Sequence, residues 1–324
     1  MNTPHVIGRR RYLSFPAPGK RVSPHWRVLH RLWSLVFLPY GLAVAWMKGA
    51  PGLGVRLRCV RFGLRPLLAG DFRRAFVLIA NPMDSFRYFE FDFAFGAVRG
   101  AKVDRYFDVS SPRLLPLMIV QTRPGLTADM LNPQPGDLKE TAATARALGL
   151  LARCRFDGRL IEDAPFADGT FDLITSISVV EHIPEDTRAI ATMWRLLRPN
   201  GKLVITVPCA KESSEEYTNF DEYGLLSKDK EGFVYWQRYY DHSALAERIW
   251  SVTGQPTRMR IFGERQAGNY DENVMRKRSD PAYPYWREPI MMGTEYGYFD
   301  SLDDLPGMGV IAMEFIKPPA APKS

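Results

Sequence analysis

Few side chains take a proton near neutral pH, and one of them, His182, stands directly after a carboxylate that could orient it, Glu181. Three aspartates, Asp108, Asp129 and Asp163, each fall at or just past the end of a predicted strand. An ionised carboxylate only accepts hydrogen bonds, which suits it to hydroxyl pairs and amino groups. Asp108 is followed by Ser110, Ser111 and Arg113, which place two hydroxyls and a guanidinium at a predicted helix start. That set fits an anionic group. Ala164, beside Asp163, is small and brings a backbone N–H without bulk. The cysteines, Cys59, Cys154 and Cys209, lie far apart and make no CxxC pair, which argues against a disulfide framework or a cysteine zinc site and points to a reducing compartment. Nothing suggests a metal. The bland readings stay open: Asp129 as a solvated or Asx-turn aspartate, His182 as a structural residue.

The elements that must position these residues alternate. Arg105–Val109 (RYFDV) reads as a first strand, and Ser110–Val120 as a loop and then a helix with Pro112 in its first turn. Gly125–Met130 reads as a second strand, Leu138–Leu150 as a helix closing near Gly149, Arg159–Glu162 as a third strand and Phe171–Ile177 as a fourth. Asp186–Leu197 is a helix stopped by Pro199-Asn200-Gly201, and Lys202–Val207 a fifth strand. Arg258–Phe262 and Gly309–Ile316 complete seven. This spacing predicts an α/β fold: a Rossmann-like, seven-stranded, mostly parallel sheet with helices on both faces. Ligands of such sheets bind beyond the carboxyl ends of the strands, where the strand order reverses.

The stretch Glu162–Pro208 carries Asp163-Ala164, Pro165-Phe166, Asp168-Gly169, Phe171-Asp172-Leu173, Glu181-His182 and Leu197-Arg198-Pro199-Asn200-Gly201. In this order and register it closely resembles the class I S-adenosylmethionine-dependent methyltransferases of the type 11 kind. The resemblance implies S-adenosyl-L-methionine as cofactor and methyl transfer as the reaction. It implies that the residues after the first strand, Asp108–Arg113, hold the methionine part, that Asp129 holds the ribose hydroxyls, and that Asp163 and Ala164 receive the adenine. His182 then lies near the transferred methyl group as a candidate base. The segments RYFEF (Arg87–Phe91) and DVSSPR (Asp108–Arg113) are similar to those of bacterial methyltransferase-like proteins associated with surface polysaccharide production. The implied acceptor is a small molecule, or a carbohydrate- or lipid-linked group.

The chain departs from the family at its first motif. The family has glycines there, because the backbone turns sharply against the cofactor. This chain has Asp108-Val109-Ser110-Ser111-Pro112-Arg113, with no glycine. Two readings follow: the serines and Arg113 still bind, or the site is degenerate and the protein is a non-catalytic binding or assembly scaffold. The glycine fingerprint of nicotinamide dinucleotide binding is missing too.

Residues 1–74 hold fourteen Lys or Arg and one acid, Asp71, for a net charge of +13, while the other 250 residues carry −6. Within this basic head, Leu32–Met47 is a 16-residue uncharged stretch with Pro39 and Gly41 at its centre and Trp33 and Trp46 near its ends. It is shorter than the ~20 residues of a membrane-spanning helix. Three readings are open: a monotopic or re-entrant segment on an anionic membrane surface, two helices packed on the domain, or a span. Nucleic acid is disfavoured as a partner, since the arginines alternate with Leu, Val and Trp. Residues 75–324 form the methyltransferase-like domain, with a lid or interaction surface expected in an insertion at 263–306. The expected location is cytoplasmic, peripheral on the inner face of the membrane if the head binds lipid.

Overall fold

The computed structural model describes residues 5–15, 23–80, 82–99, 102–221, 224–280, 283 and 285–319. The first elements are β1 (His5–Ile7), β2 (Arg10–Leu13), α1 (Pro24–Met47), α2 (Leu53–Leu68), α3 (Phe72–Ala80) and α4 (Ser85–Val98). Next come β3 (Arg105–Val109), α5 (Leu114–Thr122), β4 (Thr127–Leu131), α6 (Pro135–Leu148), β5 (Cys154–Asp157), β6 (Phe171–Ile177), α7 (Asp186–Leu196) and β7 (Leu197–Cys209). The chain ends with β8 (Ser214–Thr218), β9 (Val234–Tyr239), α8 (His242–Leu245), α9 (Ser251–Thr253), β10 (Arg258–Glu264), α10 (Asn269–Ser279), α11 (Glu288–Thr294), β11 (Tyr296–Phe299) and β12 (Gly309–Ile316). A single π-helical turn, Ala246–Trp250, joins α8 to α9.

The chain divides into two compact units. One comprises residues 1–92, 214–236 and 261–310, the other 93–213, 237–260 and 311–324. The second holds the body of the expected sheet, in the order β12-β7-β6-β3-β4-β5, with the first residues of β10, which borders β12. Its central pairs, β7 with β6, β6 with β3, β3 with β4 and β4 with β5, are all parallel. The chain runs outward from β3 through β4 to β5 and then resumes at β6 on the other side of β3, so the order reverses between β3 and β6. An eighth strand, β11, absent from the sequence reading, pairs antiparallel with Ile261–Glu264.

Several boundaries differ from expectation. The third strand is Cys154–Asp157, earlier than the expected Arg159–Glu162, because Asp157 turns the chain by accepting the Arg159 N–H at 3.0 Å. The aromatic run Arg87–Phe95 is helical, within α4. A turn signal at Asn81–Ser85 and an aromatic-rich segment at Tyr217–Tyr223, also readable in the sequence, lie partly outside the described residues. The long insertion is folded rather than loose: buried Glu264 accepts the N–H groups of Tyr270 at 2.8 Å and Met308 at 2.7 Å, clamping both ends. Glu288 takes the Ser85 N–H at 2.8 Å and faces Lys277 at 2.9 Å.

Part of the recognised motif is scaffold. Asp172 accepts the N–H groups of Asp104 at 2.7 Å and Arg105 at 2.9 Å and pairs with Arg198, tying the starts of β3, β6 and β7 together. Asn200 takes the left-handed conformation (φ 61°), and a Cβ at Gly201 would stand 2.8 Å from the Arg198 carbonyl, so that turn needs its glycine. α5 buries residues on every side, as its uninterrupted apolar run requires. The three cysteines are buried and free, and burial pushes the Cys59 thiol up to about 12 and Cys154 to about 11.

A wholly buried carboxylate, Asp186, anchors α7. It meets Arg238 at 2.6 Å, Arg248 at 2.5 Å and the Tyr240 hydroxyl at 2.6 Å. Removing it strands a nearly buried guanidinium, so Asp186→Ala is expected to cost about 3–5 kcal/mol in urea unfolding. A loss under about 1 kcal/mol would contradict this account.

Candidate functional site

Parallel strands β3 and β6 end side by side at Val109 and Ile177, and the next residue of each, Ser110 and Ser178, adopts a left-handed backbone (φ 53° and 48°). With Asn200 they are the described non-glycine residues in that region. Left-handed non-glycine residues are uncommon, and two at a strand-order reversal mark a loop shaped for a ligand. Ser110 turns the backbone where a glycine would be expected. Its N–H and its hydroxyl both reach the Leu131 carbonyl, at 2.8 and 3.0 Å, so the turn is held by the end of β4. Ser178 donates its N–H to Thr206 Oγ1 at 3.0 Å, within β7.

Beneath the loop lies Asp108, 3% exposed. One carboxylate oxygen accepts from Thr175 Oγ1 at 2.7 Å and from the Tyr106 hydroxyl at 3.1 Å, and the other accepts the Ser111 N–H at 3.2 Å. Ser111 in turn accepts the Ile177 N–H at 3.1 Å. This buried network stitches the ends of β3 and β6. Burial raises the Asp108 carboxyl to about 6 against the pull of its hydrogen bonds. It equally lifts the Tyr106 phenol above its ordinary range.

The nine expected site residues have different fates. Asp108, Ser110 and Ser111 are brought together at the reversal, but their polar atoms are spent on the loop itself, so they shape the site. Arg113 is half exposed where α5 begins and stands 3.9 Å from Asp137. Asp129 is not at the strand end. It lies two residues inside β4, nearly buried, 3.5 Å from both Arg105 and Arg155. The first polar residue past β4 is Asn132, whose N–H bonds the Asp157 carbonyl at 2.9 Å and whose side chain accepts from Gln134. Strand register moves Asp129 onto the sheet face among the arginines. Asp163 is exposed and Ala164 half-buried, after β5 and a short 3₁₀ turn, Ile161–Asp163. Glu181 is buried in the turn after β6, and His182 Nε2 lies 3.9 Å from its carboxylate, within ion-pair range. Sequence reasoning missed Tyr106, Thr175, Ser178 and Asn132. Ser178 and Asn132 had a signal, since each is the first polar residue past a strand.

A mostly parallel sheet with a tightly turned loop at its strand-order reversal is the Rossmann-like arrangement expected from the sequence. Residues 126–205 match the family model described as a methyltransferase domain. It is 27% identical over 129 residues, 39% of this chain and 34% of the relative, to a probable chloroplastic tocopherol O-methyltransferase of Oryza sativa subsp. japonica. It is 31% identical over 81 residues, 25% of this chain and 28% of the relative, to norajmaline N-methyltransferase of Rauvolfia serpentina. It is 30% identical over 94 residues, 28% of this chain and 37% of the relative, to the ubiquinone/menaquinone biosynthesis C-methyltransferase UbiE of Psychromonas ingrahamii. The chain thus spans about a third of the length of these curated relatives. A solved structure of geranyl diphosphate methyltransferase in complex with SAM resembles it with a TM-score of 0.48 and 14% identity, over 76% of this chain and 91% of that one.

The raised Asp108 carboxyl has a pH consequence. The folded chain keeps its proton where the unfolded chain, near 3.9, has lost it. That stabilisation is full below about pH 4 and lost as pH rises through about 6. Between pH 4 and 7 the wild type is expected to lose about 2 kcal/mol relative to Asp108→Asn in urea unfolding. Equal pH slopes would place the carboxyl at an ordinary value. At the neighbouring turn, Ser110→Gly is expected to fold within about 1 kcal/mol of wild type, and Ser110→Val to cost about 1–3 kcal/mol.

Proposed function

We propose that this protein transfers a methyl group from S-adenosyl-L-methionine to a small-molecule acceptor, free or carried on a carbohydrate or lipid. The observation that carries this reading is the pair of left-handed serines over a buried Asp108 network at the strand-order reversal. It suits the cofactor because the backbone turns at Ser110 as a glycine would, shortly before the start of α5. The first N–H groups of a helix have no intrahelical acceptor. Those of Arg113 and Leu114, with the Arg113 guanidinium beside them, suit the cofactor's carboxylate. Asn132 replaces Asp129 as the group for the ribose, and Asp163 with Ala164 suits the adenine edge.

When bound, the cofactor supplies an electrophilic methyl group on a sulfonium, and transfer is an in-line displacement in which orientation dominates. The protein's part is to hold the acceptor in line and take its proton where one must leave. His182 is the group for that proton, with Glu181 oriented toward the imidazolium that would form. The acceptor atom is open, since the relatives named above are O-, N- and C-methyltransferases.

Calorimetry with S-adenosylhomocysteine tests the binding half. Micromolar affinity is expected, weakened about tenfold or more by Asp108→Ala, which unties the loop. Asp129→Ala is expected to change it by less than about threefold, because that carboxylate faces arginines rather than the edge. No heat at millimolar ligand would overturn the reading and leave a non-catalytic scaffold. In an active assay His182→Ala should lower kcat about a hundredfold with little change in the cofactor KM. A change confined to KM would make His182 a binding residue.

A further inference from the structure

α1 is one continuous helix of 24 residues, with Pro39 inside it, and its two long faces have the same chemistry but different fates. Ser34, Leu38, Gly41 and Ala45 are buried, spaced to one side of the helix. This side packs within its own unit, where Phe37 stacks on Trp286 at 4.7 Å and a Cβ on Gly41 would come 3.2 Å from the Trp286 carbonyl. The opposite side carries Leu29, Leu32, Val36, Tyr40, Ala43 and Met47, all exposed, at 3–4 residue spacing. Val36 is 71% exposed and Trp46, on the margin of this side, 74%. No charge interrupts it from Leu32 to Met47.

The neighbouring helices of this unit repeat the pattern. On α2 the exposed Leu57, Leu64 and Leu68 share one side, flanked by exposed Arg61 and Arg65, and Phe72 follows at the start of α3, 69% exposed. Sixteen of the 24 large apolar side chains exposed among the described residues fall between Trp26 and Val77. That concentration exceeds the scattered exposure normal for a surface and marks a binding face.

We infer that this face docks in the interfacial layer of an anionic membrane, with α1 lying in the membrane plane rather than crossing it. A helix packed lengthwise on folded protein presents only one side to lipid, which suits in-plane immersion. The charge selects the occupant. Lys48, Arg61, Arg65 and Arg73 are exposed around the apolar side chains, and the single acid of residues 1–74, Asp71, is paired with Arg74 at 2.5 Å. A second copy of the chain would bring its own arginines against these, a like-charge contact, whereas anionic headgroups complement them. Trp33 and Trp46 are both exposed, and indoles partition between acyl chains and headgroups. The inference is independent of the proposed methyl transfer and stands or falls on lipid alone.

Flotation of the full chain with phosphatidylcholine vesicles, with and without phosphatidylglycerol, tests it. Most of the protein should float with anionic vesicles, and tryptophan emission should shift to the blue. Leu32→Glu combined with Val36→Glu, both on the exposed side and so harmless to folding by circular dichroism, should abolish flotation. Arg61→Glu with Arg65→Glu should weaken binding about fivefold or more for each arginine. Three outcomes would overturn the proposal: flotation that survives both double variants, equal binding to neutral vesicles, or no vesicle binding. In the last case, a dimer in sedimentation that Leu32→Glu with Val36→Glu dissolves would assign the face to a second copy.

Discussion

A carboxylate out of water must find donors or give up its charge, and the carboxyl edge of this sheet is organised around how Asp108 meets that demand. Thr175 reaches it from β6, Tyr106 from two residues back on its own strand, and the Ser111 N–H from the loop above. Each bond fixes a different element, so the loop cannot move without exposing a desolvated group. The left-handed backbone at Ser110 and Ser178 is tolerated because the hydrogen bonds to Leu131 and Thr206 over-determine it. Glycine would give the same turn through conformational freedom; here the Ser110 hydroxyl is spent on the Leu131 carbonyl, and the Ser178 N–H on Thr206. The loop is therefore shaped by its polar residues, and in the proposed reading binding falls to helix-start N–H groups and to strand-end side chains.

The same physics recurs away from the edge. Glu264, Glu288 and Asp186 are buried carboxylates, each supplied with backbone or cationic donors, and each pins a segment that apolar packing alone would hold loosely. The insertion at 263–306 shows the effect best: what reads in sequence as a proline- and tyrosine-rich connection is two helices and a strand clamped by acids. Against these satisfied interiors the outer side of α1 stands apart, since apolar surface left in water has a cost that a lipid interface removes.

Much was legible from order alone. Alternating apolar runs and helix formers marked the seven-stranded sheet, because strand and helix impose different periods on burial. Asp168-Gly169, Phe171-Asp172-Leu173 and Leu197-Arg198-Pro199-Asn200-Gly201 marked the stretch that matches the methyltransferase-domain family model, and several of these residues proved to be scaffold, with Asp172 and Arg198 paired at the strand starts. Motif strength thus reported the fold more directly than the chemistry.

Residue types, their spacing and the basic head were determined by the chain itself: period decides the fold class, and composition gives the first 74 residues their net charge of +13. Register and direction were decided only in three dimensions. Asp129 and Asn132 differ by three positions in sequence, yet one meets two arginines on the sheet face and the other caps the strand edge. A side chain's face depends on where its strand begins and what lies beside it, and those neighbours come from parts of the chain that local sequence does not contain.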